Sequence, residues 1–427
     1  MHGTNWGLNP HITKILLQTV ITKIVTYGAA IWALPMTERK KKILTTIQRQ
    51  FTLNITRAFQ TAPNSALDIL AGTTPLHLEA TYEAIYSTIS QLQDPITHED
   101  ISYDPQEYET KPPPYNRHPA TPHTRIKFTP ITNSQQRNNT STIAYTDGSK
   151  IDDKVGCGVY IPIQNNIAED IKWKGFLKNN NTVFQAELAA IKYAIAIASE
   201  NNISNLLIKT DSQAALLAIK DPNNRSPIAF QINQDSISSP INSITIEWIK
   251  GHNQIEGNDI ADNLAKEAAL NQESFPVNAK LPTSYLKNKI KQQILNIWQR
   301  EWDNTTTGRR THEIFPTCNN ETKSTTASLT SFLTEHGPYP TYFYKRNLSN
   351  TEMCICGETG NADHYHFSCA LTQELHIRSP STITTAFKRM IVKLPHLITA
   401  FNKLHNKLNN MGLDLCSVSP SPSAISR

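Results

Sequence analysis

Apolar residues recur along the first part of the chain at intervals typical of an α-helix. Ile12, Ile15 and Val20 mark one such series, and Ile43 begins another. Residues three or four positions apart share one face of a helix, so each series gives a helix an apolar side. The pattern predicts a mostly helical segment over residues 10–92.

The segment that follows, residues 93–140, contains eight prolines and few apolar residues. Proline cannot donate a backbone hydrogen bond, and closely spaced prolines favour an extended chain. We therefore predict a linker without regular structure, followed by a domain boundary near residue 140.

Short apolar runs and helical patterns alternate between residues 141 and 271. The runs predict strands at Thr142–Thr146, Gly158–Ile163, Ile171–Phe176, Leu206–Thr210 and Ile244–Ile249. The helical patterns cover residues 183–199, 212–220 and 256–270. Strands that alternate with helices indicate an α/β domain, in which helices flank a sheet.

Three further segments follow residue 271. Residues 280–316 are helical and basic, residues 340–372 contain a Cys/His cluster, and residues 373–427 form an amphipathic helical tail. The Ser/Pro-rich end of that tail is predicted to be disordered. The basic segment is expected either to meet nucleic-acid phosphates or to form a solvated helix face.

Charge and composition narrow the class of protein. The net charge is +5, but residues 141–271 hold 11 basic and 15 acidic side chains, so this domain by itself repels nucleic acid. The longest apolar candidate, residues 15–25, is interrupted by Lys23, which predicts a soluble, unexported protein with no membrane partner. The six cysteines are too unevenly placed for a secreted disulfide framework. The compartment, nucleus or cytoplasm, and the oligomeric state stay open.

Two acids stand at the ends of predicted strands of the α/β domain. Asp147 follows the first strand and Asp211 follows Leu206–Thr210. Strand ends are where open α/β sheets place their sites. If these two strands are neighbours, the carboxylates lie a few ångströms apart and cannot both stay ionised without cations. A pair of Mg²⁺ ions, with Mn²⁺ as an alternative, resolves that conflict.

Two further acids lie on predicted helices. Glu187 is on the edge of the apolar stripe of its helix, where an acid needs a partner, either a metal or a nearby lysine. Asp262 lies beside the apolar face that contains Ala261, although taken alone it would more often be a surface acid. Hard oxygen ligands suit Mg²⁺, and two such ions can clamp an in-line phosphodiester displacement. His252, in a loop before the last helix, could shuttle protons at neutral pH.

Five short motifs in this order resemble the ribonuclease H type 1 family. They are Tyr145-Thr146-Asp147-Gly148-Ser149, Gln185-Ala186-Glu187-Leu188, Thr210-Asp211-Ser212-Gln213, Trp248-Ile249-Lys250-Gly251-His252 and Gly257-Asn258-Asp259-Ile260-Ala261-Asp262. The resemblance implies a five-stranded mixed sheet flanked by helices, and hydrolysis of the RNA strand of RNA/DNA hybrids that leaves 5′-phosphate ends.

The same resemblance assigns roles to individual residues. It implies that the four acids, Asp147, Glu187, Asp211 and Asp262, are catalytic metal ligands and that His252 is an auxiliary catalytic residue. It also implies that Gly148, Ser149, Ser212 and Gln213 contact the hybrid, with Gln213 in the minor groove.

Two departures from the family limit what can be carried over. Val183 and Phe184 stand where many members place asparagines that contact the RNA 2′-hydroxyl, while three asparagines lie slightly upstream. Arg225 is the sole basic residue between positions 221 and 243, where some members carry a basic protrusion. The basic residues that bind the hybrid would then come from another segment.

The N-terminal flank resembles the end of a non-LTR retrotransposon reverse transcriptase. The similar residues are Tyr27-Gly28-Ala29-Ala30-Ile31-Trp32, Gln48-Arg49 and Ala71-Gly72-Thr73-Thr74-Pro75-Leu76. The polymerase's own catalytic aspartates would lie upstream of Met1, so residues 10–92 are interpreted as a thumb-like remnant of a truncated polyprotein. A generic helical bundle is the alternative.

The Cys/His cluster offers a metal site of a different kind. Cys354, Cys356, His364 and Cys369 supply three thiolates and an imidazole within sixteen residues, enough for one tetrahedral, structural Zn²⁺. The set is similar to the zinc knuckle found downstream of ribonuclease H in these elements. His366 competes with His364 as a ligand, and free structural thiols are the alternative. Three other cysteines, Cys157, Cys318 and Cys416, are isolated.

The sequence therefore predicts a retrotransposon-derived endoribonuclease. A catalytically silent nucleic-acid-binding relic is the first alternative, although all four acids and His252 are retained. A different nuclease or an integrase on the same fold is the second, but those sites use fewer acids.

Overall fold

The computed structural model describes residues 2–3, 6–113, 123–129, 141–163, 169–251, 255–271 and 274–416. The chain divides into two compact units, one formed by residues 1–87 with 290–427 and the other by residues 88–289. Among the described residues, none of the helices combines the length and the apolar character needed to cross a bilayer.

Strands and helices alternate in the middle of the chain, and helices dominate both flanks. The strands are β1 His2–Gly3, β2 Trp6–Gly7, β3 Ile96–His98, β4 Ile101–Tyr103, β5 Lys127–Phe128, β6 Thr142–Ile151, β7 Lys154–Ile161, β8 Ile171–Leu177, β9 Asn205–Thr210, β10 Ser243–Trp248 and β11 Phe275–Pro276. The helices are α1 Pro10–Leu16, α2 Thr22–Val25, α3 Ala29–Trp32, α4 Glu38–Thr56, α5 Asn64–Ala71, α6 Leu76–Ser87, α7 Val183–Glu200, α8 Gln213–Lys220, α9 Pro227–Ser238, α10 Glu256–Leu270, α11 Thr283–Asn304, α12 Arg309–Ile314, α13 Ala327–Thr334, α14 Pro340–Lys345, α15 Ala362–Phe367, α16 Thr385–Ile391 and α17 Ile398–Met411.

A mixed sheet forms the centre of the second unit, with the order β11-β8-β7-β6-β9-β10-β5. Strands β6, β7 and β8 are antiparallel neighbours, whereas β6, β9 and β10 run parallel. The predicted five-stranded mixed sheet is confirmed as the central part, and the two-residue strands β11 and β5 extend its edges. The predicted α/β class is likewise confirmed.

Side chains alternate along β7 and pack against helices on opposite faces of the sheet. Val155, Cys157 and Val159 lie in the main core together with α7. The residues between them are glycines, and a Cβ at Gly158 would come within 2.3 Å of the carbonyl oxygen of Ala261 in α10. Because successive side chains of a strand point to opposite faces, the glycines let α10 lie directly on the second face.

Two features of the second unit differ from the sequence predictions. Helix α9 was not predicted, although Ser226 caps its N-terminus and Pro227 occupies its first turn. The interpretation of residues 93–140 as lacking regular structure is wrong in part, since the described portion contains the β3–β4 hairpin and β5. The hairpin forms because Pro95 and Pro105 flank it and do not interrupt its hydrogen bonds.

The first unit packs several helices around aromatic and aliphatic side chains. Phe332 of α13 contacts His366 of α15 and Phe401 of α17, with ring centroids 4.7 and 5.2 Å apart respectively. The Cys/His segment is therefore embedded between helices and is not a free-standing knuckle. The Ser/Pro-rich end predicted to be disordered lies outside the described residues.

Candidate functional site

The register of two parallel strands brings the first two acids together. Thr146 of β6 pairs with Thr210 of β9, and this is the last pair between them. Asp147 and Asp211 follow those residues on adjacent strands, so their Cα atoms are separated by about one strand spacing, ~5 Å. Asp147 is not at the end of its strand as predicted, because β6 continues to Ile151 in its pairing with β7.

A close approach of β6 to α7 adds the third acid. A Cβ at Gly148 would lie 2.6 Å from the backbone nitrogen of Glu187, a distance that side chains do not tolerate. Glycine is therefore required where the strand passes the first turns of this helix. Asp147, Glu187 and Asp211 each offer a carboxylate oxygen within 4.8 Å of the others.

Burial and mutual repulsion make two of these carboxyl groups, those of Asp147 and Glu187, hard to ionise. Burial, followed by the charge of Asp211 and the proximity of Asp262, raises the pKa of Asp147 to about 7. Burial, followed by the charges of Asp147 and Asp211, raises the pKa of Glu187 to about 10. The Glu187 side chain is 6% exposed, and its Oε2 atom is buried without a hydrogen-bond partner among the described residues. A divalent cation would satisfy this oxygen and relieve the repulsion.

Helix α10 places the fourth acid at the edge of the cluster. Asp262 interacts with Asp147, and its Oδ2 atom accepts a hydrogen bond of 2.6 Å from Nζ of Lys266 one turn along the helix. The helix is held against the sheet because Gly257 packs on the ring of Tyr145, where a Cβ would come within 2.3 Å. Asp262 is 26% exposed, so the cluster reaches solvent on this side.

The remaining motif residues have definable positions. Ser212 caps α8 by accepting a hydrogen bond from the backbone of Ala215 at 3.3 Å, whereas Gln213 is exposed at the start of that helix. Gly148 and Ser149 lie on β6, and both are half-buried. Their predicted contacts with the hybrid stay predictions. His252 lies outside the described residues, whereas a Cβ on the preceding Gly251 would lie 2.8 Å from Oδ2 of Asp211.

Three supporting residues were not recognised from the sequence. The indole nitrogen of Trp248 donates a 3.0 Å hydrogen bond to the carbonyl of Asp211 and fixes the turn after β9. Lys266 pairs with Asp262, and Gly158, which has no side chain, allows α10 to pack closely on the sheet. The tryptophan lies in one of the recognised motifs, but the partner of its indole group depends on tertiary structure.

Replacement of Glu187 by glutamine tests the repulsion directly. Folding must either protonate this buried carboxyl or hold its charge beside two others, and the amide avoids both costs. Without divalent cations we expect Glu187→Gln to raise the free energy of unfolding by at least about 1 kcal/mol at neutral pH. Thermal denaturation with and without Mg²⁺ measures this, and the stabilisation by Mg²⁺ that we expect for the wild type should largely disappear.

The matched control is Glu200→Gln, at the exposed C-terminal end of the same helix. That change should alter stability by less than about 0.5 kcal/mol and leave the Mg²⁺ effect intact. A destabilised Glu187→Gln protein that is still fully stabilised by Mg²⁺ would contradict this account of the cluster.

The four predicted zinc ligands also come together. The relevant atoms of Cys354, Cys356, His364 and Cys369 lie within 4.8 Å of one another. Sγ of Cys354 is 3.9 Å from Sγ of Cys369, and Sγ of Cys356 is 3.2 Å from Nε2 of His364. Three thiol sulfurs and one imidazole nitrogen at these separations fit a tetrahedral Zn²⁺ site.

The choice between the two candidate histidines follows from their surroundings. Nδ1 of His366 contacts the carbonyl of Ala362 at 2.7 Å, and burial lowers the pKa of His366 to about 4. Its ring packs against Phe332 and Phe401, and His366 is not part of the group of ligand atoms that lie within 4.8 Å of one another. His364 instead directs Nε2 to the cluster and pairs through Nδ1 with Oε2 of Glu358 at 2.9 Å. A carboxylate behind an imidazole ligand is the usual arrangement at zinc sites.

One isolated cysteine lies closer to this cluster than its position in the sequence suggested. Cys416 forms a backbone bridge with Cys354, and the backbone of Ile355 donates to the carbonyl of Leu415 at 3.0 Å. These contacts attach the described end of the chain to the turn that contains Cys354 and Cys356.

Residues 139–270 match the family model described as RNase H. The chain is 33% identical over 135 residues to the Retrovirus-related Pol polyprotein from type-1 retrotransposable element R1 of Bradysia coprophila. This match covers 30% of the present chain and 12% of that relative's length.

Two solved structures are similar in part. RNase H1 from the halophilic archaeon Halobacterium salinarum NRC-1 has 19% identity and a TM-score of 0.25, over 30% of this chain and 96% of that one. The N-terminal RNase H domain of a Mycobacterium tuberculosis protein, fused to maltose binding protein, has 17% identity and a TM-score of 0.26, over 30% of this chain and 98% of that one.

The family match falls on the segment that brings the acids together in the structure. The chain thus carries, at residues 139–270, a domain of the ribonuclease H family of nucleases.

Proposed function

We propose that this domain hydrolyses the RNA strand of RNA/DNA hybrids with two divalent metal ions held by Asp147, Glu187, Asp211 and Asp262. The observation that carries the proposal is the convergence of three carboxylates, one of them with a buried oxygen that has no partner among the described residues. Two Mg²⁺ ions at such a site would activate the attacking water and stabilise the leaving 3′ oxygen.

The protein's contribution is to hold the carboxylates in place before substrate arrives. The backbone nitrogen of Gly148 donates to Oδ1 of Asp147 at 2.8 Å, and Trp248 holds the backbone at Asp211. Lys266 holds Asp262 at the solvent side. His252, which follows Gly251 beside Asp211, is proposed to move a proton to or from the product. Gln213, exposed at the start of α8, is proposed to contact the hybrid.

Selective cleavage of hybrids tests the proposal. The full chain is incubated in Mg²⁺ with RNA/DNA hybrid, RNA/RNA and DNA/DNA duplexes of one sequence, each labelled on one strand at a time. We expect cleavage of the RNA strand of the hybrid, because a site that reads A-like geometry and 2′-hydroxyl groups rejects pure DNA.

The products provide a second readout of the same reaction, since fragments should carry 5′-phosphate and 3′-hydroxyl ends. Equal cleavage of duplex DNA, or no cleavage of the hybrid in either Mg²⁺ or Mn²⁺, would contradict the assignment.

We further propose that the four-ligand cluster at residues 354–369 binds one structural Zn²⁺. The support is the donor set and its separations, together with the Glu358 carboxylate behind His364.

Arg310 of the basic segment pairs with Asp363 at 2.8 Å. The Arg310 guanidinium therefore stabilises the fold of this unit and is not free to bind phosphate. The reverse-transcriptase-like origin of residues 10–92 stays a proposal from the short motifs alone.

A further inference from the structure

A short strip of the linker, residues 107–109, pairs with the backbone just before α11. The N–H of Glu109 donates to the carbonyl of Leu281 at 2.8 Å, and the N–H of Leu281 donates to the carbonyl of Glu107 at the same distance. Between them Tyr108 is 2% exposed. This linker strip is therefore fixed to the second unit and is part of its fold.

The side chain of Glu109 extends from the linker strip to the first turn of α7. Its Oε1 atom accepts a 2.6 Å hydrogen bond from Nε2 of Gln185. The same amide nitrogen donates to the carbonyl of Lys280 at 3.0 Å. Gln185 is 2% exposed, so little water reaches this amide. Glu109 thus supplies one of the two acceptors that the buried NH₂ group requires.

Gln185 also fixes the N-terminus of α7. Its Oε1 atom accepts a 3.0 Å hydrogen bond from the backbone nitrogen of Thr182. In return, the backbone nitrogen of Gln185 donates to Oγ1 of Thr182 at 3.2 Å. This reciprocal arrangement holds the first turn of a helix. One glutamine side chain therefore joins the start of α7 to the linker strip and to the segment before α11.

The turn held in this way carries a proposed metal ligand. Glu187 follows Gln185 by two residues, and its Oε2 atom is buried without a partner among the described residues. The helix contacts β6 here, where a Cβ on Gly148 would meet the backbone nitrogen of Glu187 at 2.6 Å. Side chains two positions apart point in nearly opposite directions on a helix. Strand β6 and the linker strip therefore hold this turn from different sides.

A direct contact between Glu109 and the hybrid is disfavoured by charge. Glu109 lines an open recess together with Thr182 and Phe184 of the same helix start. A carboxylate at that position repels nucleic-acid phosphates, so it would not strengthen substrate binding. Its defined partner is the buried amide of Gln185, which points to a role in the position of α7.

We propose that Glu109 is a positioning residue of the nuclease site, which holds the Gln185 amide and thereby keeps the Glu187 carboxylate beside the other acids. The inference rests on the proposed function. It makes the linker strip, which lies outside residues 139–270, a part of the site. Displacement of a catalytic group by about 1 Å can lower a rate on the order of a hundredfold, so the loss of one such contact should be measurable.

Cleavage kinetics of the full chain test the proposal. Glu109→Leu removes both acceptor oxygens and keeps most of the side-chain volume. We expect kcat for the hybrid to fall at least about tenfold, while KM changes less than about twofold. Glu109→Gln keeps an oxygen acceptor and should retain at least about half of the wild-type kcat. Glu107→Leu, the same change at an exposed side chain two positions away, is the matched control and should cleave like the wild type.

Hydrogen exchange measures the positioning itself, without substrate or metal. The amides of Ala186 and Glu187 should exchange at least about tenfold faster in Glu109→Leu than in the wild type, whereas those in the last turn of α7 should not change. Glu109→Asp keeps the charge but withdraws it by one methylene group. Its smaller losses in kcat and protection keep the test decisive if Glu109→Leu does not fold.

The outcomes separate this proposal from the proposed function. A wild type that does not cleave hybrids would contradict the nuclease function, and the exchange rates would still decide whether Glu109 holds α7. Unchanged kcat and exchange in Glu109→Leu would overturn the positioning role. So would a lower melting temperature with unchanged kcat, or an equal loss of kcat in Glu109→Gln or in Glu107→Leu.

Discussion

Asp211→Asn should abolish cleavage of RNA/DNA hybrids while the protein still binds them. The substitution removes one of the three carboxylates within 4.8 Å and keeps the size of the side chain. In the proposed site it removes a metal ligand together with a charge that repels the nucleic-acid backbone, so hybrid affinity should be unchanged or tighter. Single-turnover cleavage and a binding assay in Ca²⁺ or without metal separate the two effects.

The matched control is Asp221→Asn, an exposed acid that follows the next helix, α8. It should cleave at the wild-type rate. If Asp211→Asn retained more than about a tenth of that rate, an effect below ~1.4 kcal/mol in the barrier, Asp211 would not be a metal ligand. Loss of hybrid binding in parallel with cleavage would instead indicate a defect in the fold.

Much of this acid cluster could be predicted because parallel strands place equivalent residues side by side. The runs before Asp147 and Asp211 predict strands, and the pairing of Thr146 with Thr210 makes the two acids neighbours, although β6 continues beyond Asp147 to Ile151. Glu187 could be singled out since an acid at the edge of a buried helical stripe needs a partner. Periodicity therefore singles out these three acids, whereas their adjacency depends on the strand order, which the sequence leaves as a condition.

Other parts of the site depend on close approaches between distant segments. Glycine is needed at position 158 because Ala261 of α10 lies against it. This contact joins segments that are far apart in sequence, so the sequence alone does not predict it. Helix α9 has weak apolar periodicity, and Ser226 followed by Pro227 was the local signal that could have identified its start. A cavity lined by Asp68 of α5 and Trp302 of α11 could not be predicted, since the two segments are far apart in sequence.

Removal of zinc should destabilise the first unit and leave hybrid cleavage intact. Cys354 and Cys356 lie in a turn, whereas His364 and Cys369 lie on and after α15, so one ion joins two local structures. Burial and the neighbouring Cys354 raise the pKa of Cys369 to about 12, so this thiol would stay protonated without a cation. The two local structures would then lose the metal bonds that join them. In small peptides, structural zinc sites contribute roughly 10 kcal/mol or more to the free energy of folding. A smaller contribution of several kcal/mol is expected here, because α15 is also held by its packing on Phe332.

The full chain, purified under reducing conditions, should contain one equivalent of zinc. A zinc-selective chelator should lower the melting temperature and reduce the helical circular dichroism of the first unit, while Mg²⁺-dependent cleavage persists because Asp147 and its partners belong to the second unit. Cys369→Ser should lose the metal, whereas Cys318→Ser, a buried cysteine of the same unit outside the cluster, should retain it. Less than about half an equivalent of zinc, or unchanged circular dichroism after chelation, would mean that these residues do not form a structural metal site.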